Sequence, residues 1–395
     1  MHAPIPAPAP VVFVFDPTGT RRGVIAYRSL TVVQRYCDIG TWRITAPLTD
    51  QHAQAAAEGW RIVIAPATGS GDEIITSGWV EHADLELGTR EATSGRRTVP
   101  TLTLSGRDDT AVLADRLAWP TPSAALDAQT SAYDVRTGQA STVMRGYVLD
   151  NAGSSARTER RVPGLLVQTD PLIGAQVTGR ARFDVLLDLL RGLAVAGGIG
   201  FRVRYSPATG NKIFEMYTPR DLRGPARFSA PSGAVRYLRY TLAAPTATTV
   251  VAGGRGEETA RQFIGITDPA AEAAWQRRIE TFLDYRSASD TDDGAELTQA
   301  AQRRLAESTA TRSVTMIPVD TPQMTYGRDY GLGDRVTMDV GHGITVDQVV
   351  TEVELTATRG GHLRAQPRVG DLDPGPRQWR LLRDALARLA RLETR

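Results

Sequence analysis

The strongest local constraint in this 395-residue chain lies at residues 326–358. It opens Tyr326-Gly327-Arg328-Asp329-Tyr330-Gly331-Leu332-Gly333-Asp334, in which glycines and aspartates alternate with two aromatic anchors and Leu332. Glycine supplies backbone angles closed to other residues and aspartate bonds its own main chain, so the composition predicts a tight, irregular loop. Val336, Met338 and Val340 then alternate with Thr337 and Asp339, the period of a half-buried strand. After the turn Gly341-His342-Gly343, Val346, Gln348, Val350, Glu352 and Glu354 fall on one parity and Val349, Val353 and Leu355 on the other. A loop followed by a long β-hairpin locks one end of a β-rich domain.

The length predicts two or three domains, and 37 glycines with 23 prolines favour short strands and turns over long helices. The expected class is α+β, rich in β. No apolar run approaches the roughly 18 residues of a membrane span, and no basic segment followed by an apolar one opens the chain, so neither insertion nor secretion is indicated. Pro4, Pro6, Pro8 and Pro10 predict an extended arm over 1–10. A net charge of +2 argues against a dedicated nucleic-acid binder, and Lys212 is the one lysine among many arginines. The single Cys37 allows no internal disulfide, and His2, His52, His82, His342 and His362 have no ligand spacing.

In chain order, strands are expected at 11–15, 24–30, 31–36 and 41–47, a short helix at 50–59, a strand at 60–64, and a long returning strand at 73–87 after a turn at 68–72. A further strand is placed at 98–104. The segments 61–65, 69–71 and 74–85 overlay on 335–339, 341–343 and 345–355 as a weak internal repeat. Residues 105–108 are read as the cap of a helix over 109–117. The clearest helix is 183–196, with Leu186, Leu189, Leu190 and Leu193 on one face and a stop at Gly197-Gly198. A hairpin over 199–218, a strand at 235–242, an exposed loop at 253–258, helices at 270–279 and 294–308, and a strand at 312–319 follow. Beyond a Pro-Gly linker, Trp379, Leu382, Leu386 and Leu389 fall at a 3-4-3 spacing flanked by arginines, a helical seam that needs its own body, a partner or its own copies.

Chemistry-bearing motifs are sparse. Asp290-Thr291-Asp292-Asp293-Gly294 has its glycine one place early for a calcium loop and reads as an acidic helix start. No nucleophile elbow, phosphate loop or zinc motif occurs. Glu352 with Glu354, or Asp84 with Glu86, share strand faces as acid–base pairs could, though a solvated or interface face is the simpler reading. Between Phe201 and Tyr240, Arg202, Arg204, Lys212, Arg220, Arg223, Arg227, Arg236 and Arg239 interleave with tyrosines, which suits either a phosphate-tracking surface or the wet side of strands.

Three segments carry a family resemblance. Tyr326, Gly327, Asp329, Tyr330, Leu332, Gly333, Asp334 and Val336 match Tyr-Gly-x-Asp-Tyr-x-Leu-Gly-Asp-x-Val; Arg35, Tyr36, Gly40, Thr41, Trp42 and Pro47 match an early strand; and Ser105, Gly106, Arg107 and Asp108 precede a Leu-x-x-Arg-Leu step at 113–117. In these positions and their order the chain resembles the minor tail proteins of siphoviruses that infect actinobacteria, which look like baseplate hub proteins. The resemblance implies a virion protein of the tail tip, made in the host cytoplasm, without catalytic residue or cofactor. It further implies a homotrimer in which two related tail-tube-like β-barrel domains per subunit build a pseudo-sixfold ring. Such a ring joins the hexameric tail tube to a threefold tip, with tail-tube, tape-measure and fibre or spike proteins as partners and a lumen passing DNA without specific binding. The corresponding domains are 11–115 (first barrel), 116–234 (middle α/β), 235–370 (second barrel, with a helical insertion at about 266–310) and 371–395 (linker and helix). The alternative class is a tail-tip glycan hydrolase or a carbohydrate-binding module.

Overall fold

The two ends of the chain meet in one antiparallel sheet. In the computed structural model, which describes residues 8–67, 73–87, 100–229, 235–256, 258–286, 294–318, 321 and 324–370, the long strand Ile344–Thr358 pairs with Arg364–Val369 on one side and with Ser29–Arg35 on the other. Thr41–Pro47, Thr101–Arg107 and His82–Glu86 extend the sheet in that order. Strict alternation places Leu30, Val32, Trp42, Ile44, Ala46, Leu102, Leu104, Val353 and Leu355 in the core, with threonines and charged residues on the opposite face. At the hairpin end Arg335–Gly341 pairs with Ile344–Thr358 and, in parallel, with Arg227–Ser229.

A second sheet runs Arg21–Val24, Val11–Phe15, Arg61–Ala65, Thr76–Trp79. The expected long strand at 73–87 is therefore two strands in different sheets, parted by a short break at Val80 and Glu81, where the chain changes layer. The helix expected at 50–59 is only Asp50–Ala53 plus a 3-10 turn, and the one expected at 109–117 is the single turn Ala111–Ala114. Residues 105–107 belong to a strand, because Gly106 lets the backbone lie flat against Trp42, and this outweighs capping chemistry. Similarly, the strand expected at 24–30 breaks into Arg21–Val24 and the start of Ser29–Arg35.

Two helices fill the middle of this unit. Leu186–Gly197 buries Leu186, Leu190 and Leu193 as its spacing predicts, and ends where Gly198 turns left-handed and returns its N–H to the carbonyl of Ala194. Ala140–Asn151, absent from the sequence reading, packs beside it through Met144, Tyr147 and Val148. The hairpin Gly200–Tyr205 and Lys212–Tyr217 closes the same core with Phe201 and Phe214.

The described residues form two compact units, the one above and a smaller one at Leu238–Thr315. The smaller unit is a sheet of Phe263–Thr267, Thr249–Gly253 and Glu280–Asp284, whose Val250 and Ala252 pack against Leu297 and Ala301 of the helix Ala295–Glu307. The chain enters it along Val235–Ala243 and leaves along Thr311–Pro318, which are paired with each other. Among the described residues no sheet closes on itself, so the β-rich α+β class holds and the expected barrel-like domains are open sheets over those residues. No described helix is long and apolar enough to cross a membrane. The N-terminal arm over 1–7, the turn at 68–72, the acidic run 290–293 and the C-terminal seam of Trp379, Leu382, Leu386 and Leu389 lie outside the described residues.

Candidate functional site

The loop at 326–334 is built from the inside out. The Gly327 N–H donates to the Tyr330 carbonyl at 2.8 Å, and the Asp329 carboxylate accepts from the Thr325 N–H at 2.8 Å. This small closed turn drives the fully buried Tyr330 edge-on into Phe228 and Tyr326, with ring centroids 5.0 and 5.7 Å away. Asp334, buried in turn, accepts from the Gly331 N–H at 2.7 Å and takes the Arg220 guanidinium at 2.5 Å. A charge-assisted bond of this kind fixes the loop to the segment after the middle hairpin.

The early-strand motif docks against this loop. Tyr36 lies over Gly333 (φ +89°), where an added Cβ would stand 2.6 Å from the ring. Its hydroxyl, pushed up by burial, donates to the Ile199 carbonyl at 3.1 Å. Arg35 reaches the buried Glu352 at 2.9 Å, and the other oxygen of Glu352 takes Arg368 at 3.2 Å. Positions 317 residues apart in the chain thus share one ion-pair bridge.

The third motif meets the second on the same sheet. Asp108 accepts from the Gly40 N–H at 2.9 Å and from the Thr110 N–H at 3.0 Å. Trp42, whose Nε1 donates to the Arg107 carbonyl at 3.3 Å, covers Gly106, where a Cβ would stand 2.2 Å from the Trp79 carbonyl oxygen. Thr41 sits between Val33 and Arg107 in the ladder. Gln34, Arg35, Asp108, Tyr326, Leu332 and Asp334 line one cleft of about 440 Å³, so residues from all three motifs converge.

Sequence reasoning missed the buried charge beneath this cleft. Arg61 makes a two-pronged pair with Asp109 at 2.8 and 2.7 Å, Ser77 also donates to Asp109, and the guanidinium lies between Trp79 and Tyr205, 4.3 Å from each ring centre. Its only local signal is an arginine opening the apolar run Ile62-Val63-Ile64, and nothing near it in sequence identifies a partner 48 residues on.

Loss of hydration pushes the Asp108 carboxyl up to about 6, against the backbone N–H bonds that favour its ionised form. Because its folded value lies above the unfolded one of about 3.9, the native state binds the proton more tightly, and this group's contribution to stability rises as pH falls from about 7 to 4. Melting followed over that range is expected to show the rise in the wild type and to lack it in Asp108→Asn; equal slopes would place the titration elsewhere.

The basic stretch after Phe201 is largely neutralised. Arg202 and Arg204 share Glu215, Arg223 pairs with Asp221, Arg227 with Asp339 and Arg220 with Asp334. Such pairing argues for the wet side of strands over a phosphate track. Glu352 is held between two arginines, while Asp84 and Glu86 stand exposed on a sheet edge. No described group of His, Cys, Asp and Glu could hold a metal ion. The converging residues tie together segments far apart in the chain.

The open β-rich fold resembles those of solved phage tail proteins. The 43 kDa tail protein of prophage MuSo2 from Shewanella oneidensis superposes with a TM-score of 0.54 at 13% identity, covering 91% of this chain and 98% of that one. The tail protein from Neisseria meningitidis MC58 gives a TM-score of 0.48 at 15% identity over 93% and 97%, and prophage tail protein gp18 from Listeria monocytogenes EGD-e gives 0.48 at 11% over 98% and 100%. No curated protein matches the sequence. The family model described as Siphovirus ReqiPepy6 Gp37-like protein matches residues 11–371, and the chain belongs to that family. The family is a siphovirus one and the fold is shared with a solved prophage tail protein, which agrees with the resemblance carried by the three sequence motifs.

Proposed function

We propose that the chain is the hub of the tail tip, three copies forming a ring that joins the hexameric tail tube to a threefold tip and leaves a lumen for DNA. The observation that carries this reading is the open sheet. Among the described residues, strands from both halves of the chain form a single layer that does not close, and its edge strand His82–Glu86 exposes every residue. A free ladder edge in a soluble protein is a template for further strands unless it is covered. In this reading the two barrel-like halves, 11–115 and 235–370, close only in the ring, and the middle domain 116–234 braces them. Tail-tube and tape-measure proteins meet the ring, and the helical seam at 371–395 holds a fibre, a spike or its own copies. In this reading the motif residues serve a structural role, not a catalytic one.

Light scattering on the purified chain over a range of concentrations is expected to give the mass of a trimer. A mass that remains that of the single chain at every concentration would overturn the self-assembling hub.

A further inference from the structure

We propose that neighbouring copies join head to tail by strand addition, His82–Glu86 of one copy pairing antiparallel with Val235–Ala243 of the next. The inference rests on the trimeric reading and names its interface. Among the described residues each of these strands has a hydrogen-bonded neighbour on one side only, Thr101–Arg107 for the first and Thr311–Pro318 for the second.

The two edges are complementary in charge. Asp84 and Glu86 are exposed on the first, Arg236 and Arg239 on the second, and none of the four side chains has a partner among the described residues. Apolar side chains are left uncovered on both: Leu85 is 45% exposed and Leu87 72%, Tyr237 47% and Leu242 50%. Uncovered apolar groups beside an unpaired ladder are costly in water and mark an interaction surface.

The side-chain period selects a register. Ala83 and Leu85 face the side of the sheet occupied by Leu104 and Leu102, whereas Asp84 and Glu86 lie beside Thr103 and Thr101. In Val235–Ala243 the apolar parity is Leu238, Tyr240 and Leu242. Setting Leu85 opposite Tyr240 brings Ala83 to Leu242 and Leu87 to Leu238, and at the same time Glu86 to Arg239 and Asp84 to Thr241. Directly opposite residues have Cβ atoms about 4.5–5.5 Å apart, close enough for each pair to interact. Since the two edges differ, the contact is heterologous, and such contacts generate closed rings when the rotation per copy closes. A second copy is favoured over an unrelated strand because both halves of the match reside in this one chain.

The test combines charge reversal with cross-linking. Glu86→Arg is expected to abolish the oligomer by light scattering while melting as the wild type does, and Glu86→Arg with Arg239→Glu to restore it. Mixing Glu86→Cys chains with Arg239→Cys chains under oxidation is expected to give a disulfide between the two variants, with the native Cys37 buried. A wild-type trimer that survives Glu86→Arg and yields no mixed disulfide would overturn the strand pairing and leave the hub reading intact. Disulfides between Glu86→Cys chains alone would replace it with a symmetric contact. A wild type that never associates would remove the hub reading and this interface together.

Discussion

Asp109→Ala is expected to cost about 3–5 kcal/mol of unfolding free energy. The Arg61 side chain is 8% exposed and that of Asp109 1%, so removing the carboxylate strands a buried guanidinium between Trp79 and Tyr205 without its counter-charge. Ser77 loses its acceptor in the same step. The pair ties Arg61–Ala65, in the centre of one sheet, to the turn after Thr101–Arg107, in the other, so the two layers should loosen together. A denaturant titration of Asp109→Ala, Arg61→Met and the double variant tests this. The double variant is expected to lose less than the sum of the two singles, because removing both charges leaves no buried ion unpaired. A single variant as stable as the wild type would show that the pair contributes nothing net.

Gly333→Ala should be nearly as damaging, at about 2–5 kcal/mol, from two additive causes. At φ +89° an L side chain is strained wherever it sits, and here the new Cβ also lands 2.6 Å from Tyr36. The ring cannot easily retreat, since its hydroxyl is held by the Ile199 carbonyl and Tyr217 packs edge-on at 6.5 Å. Gly341 provides the control, with φ +90° and nothing within 4 Å of an added Cβ. Gly341→Ala is thus expected to lose only the backbone term, about 1–2 kcal/mol. Equal losses in the two variants would mean that the Tyr36 contact carries no weight in joining the ends of the chain.

Both variants bear on a joint that the motifs announce only in pieces. Tyr326 through Asp334 can be read as a loop because glycine and aspartate encode turn geometry in their immediate neighbours. The hairpin that follows is legible for the same reason, and so are Leu186–Gly197 and the pair Gly200–Tyr205 with Lys212–Tyr217, whose periods repeat within a few residues. The helix Ala140–Asn151 is hidden because its buried face mixes Ser141 and Asn151 with Met144 and Tyr147, which blurs the period, and Gly146 and Val143 are weak helix formers. The strands of the smaller unit are five residues each, too short for a clear period, and the sequence places no element on Phe263–Thr267 or Glu280–Asp284.

Local chemistry in the sequence therefore determined the loop, the hairpin, the main helix and the family that the three motifs signal. Tertiary structure alone decided that Ser29–Arg35 lies beside Ile344–Thr358, that 73–87 divides between two sheets, and that Arg61 finds Asp109. The reason is physical. Turn and helix preferences are set within a few residues, whereas strand partners and buried ion pairs are chosen by register and fit between segments tens to hundreds of residues apart, and no local pattern records that choice.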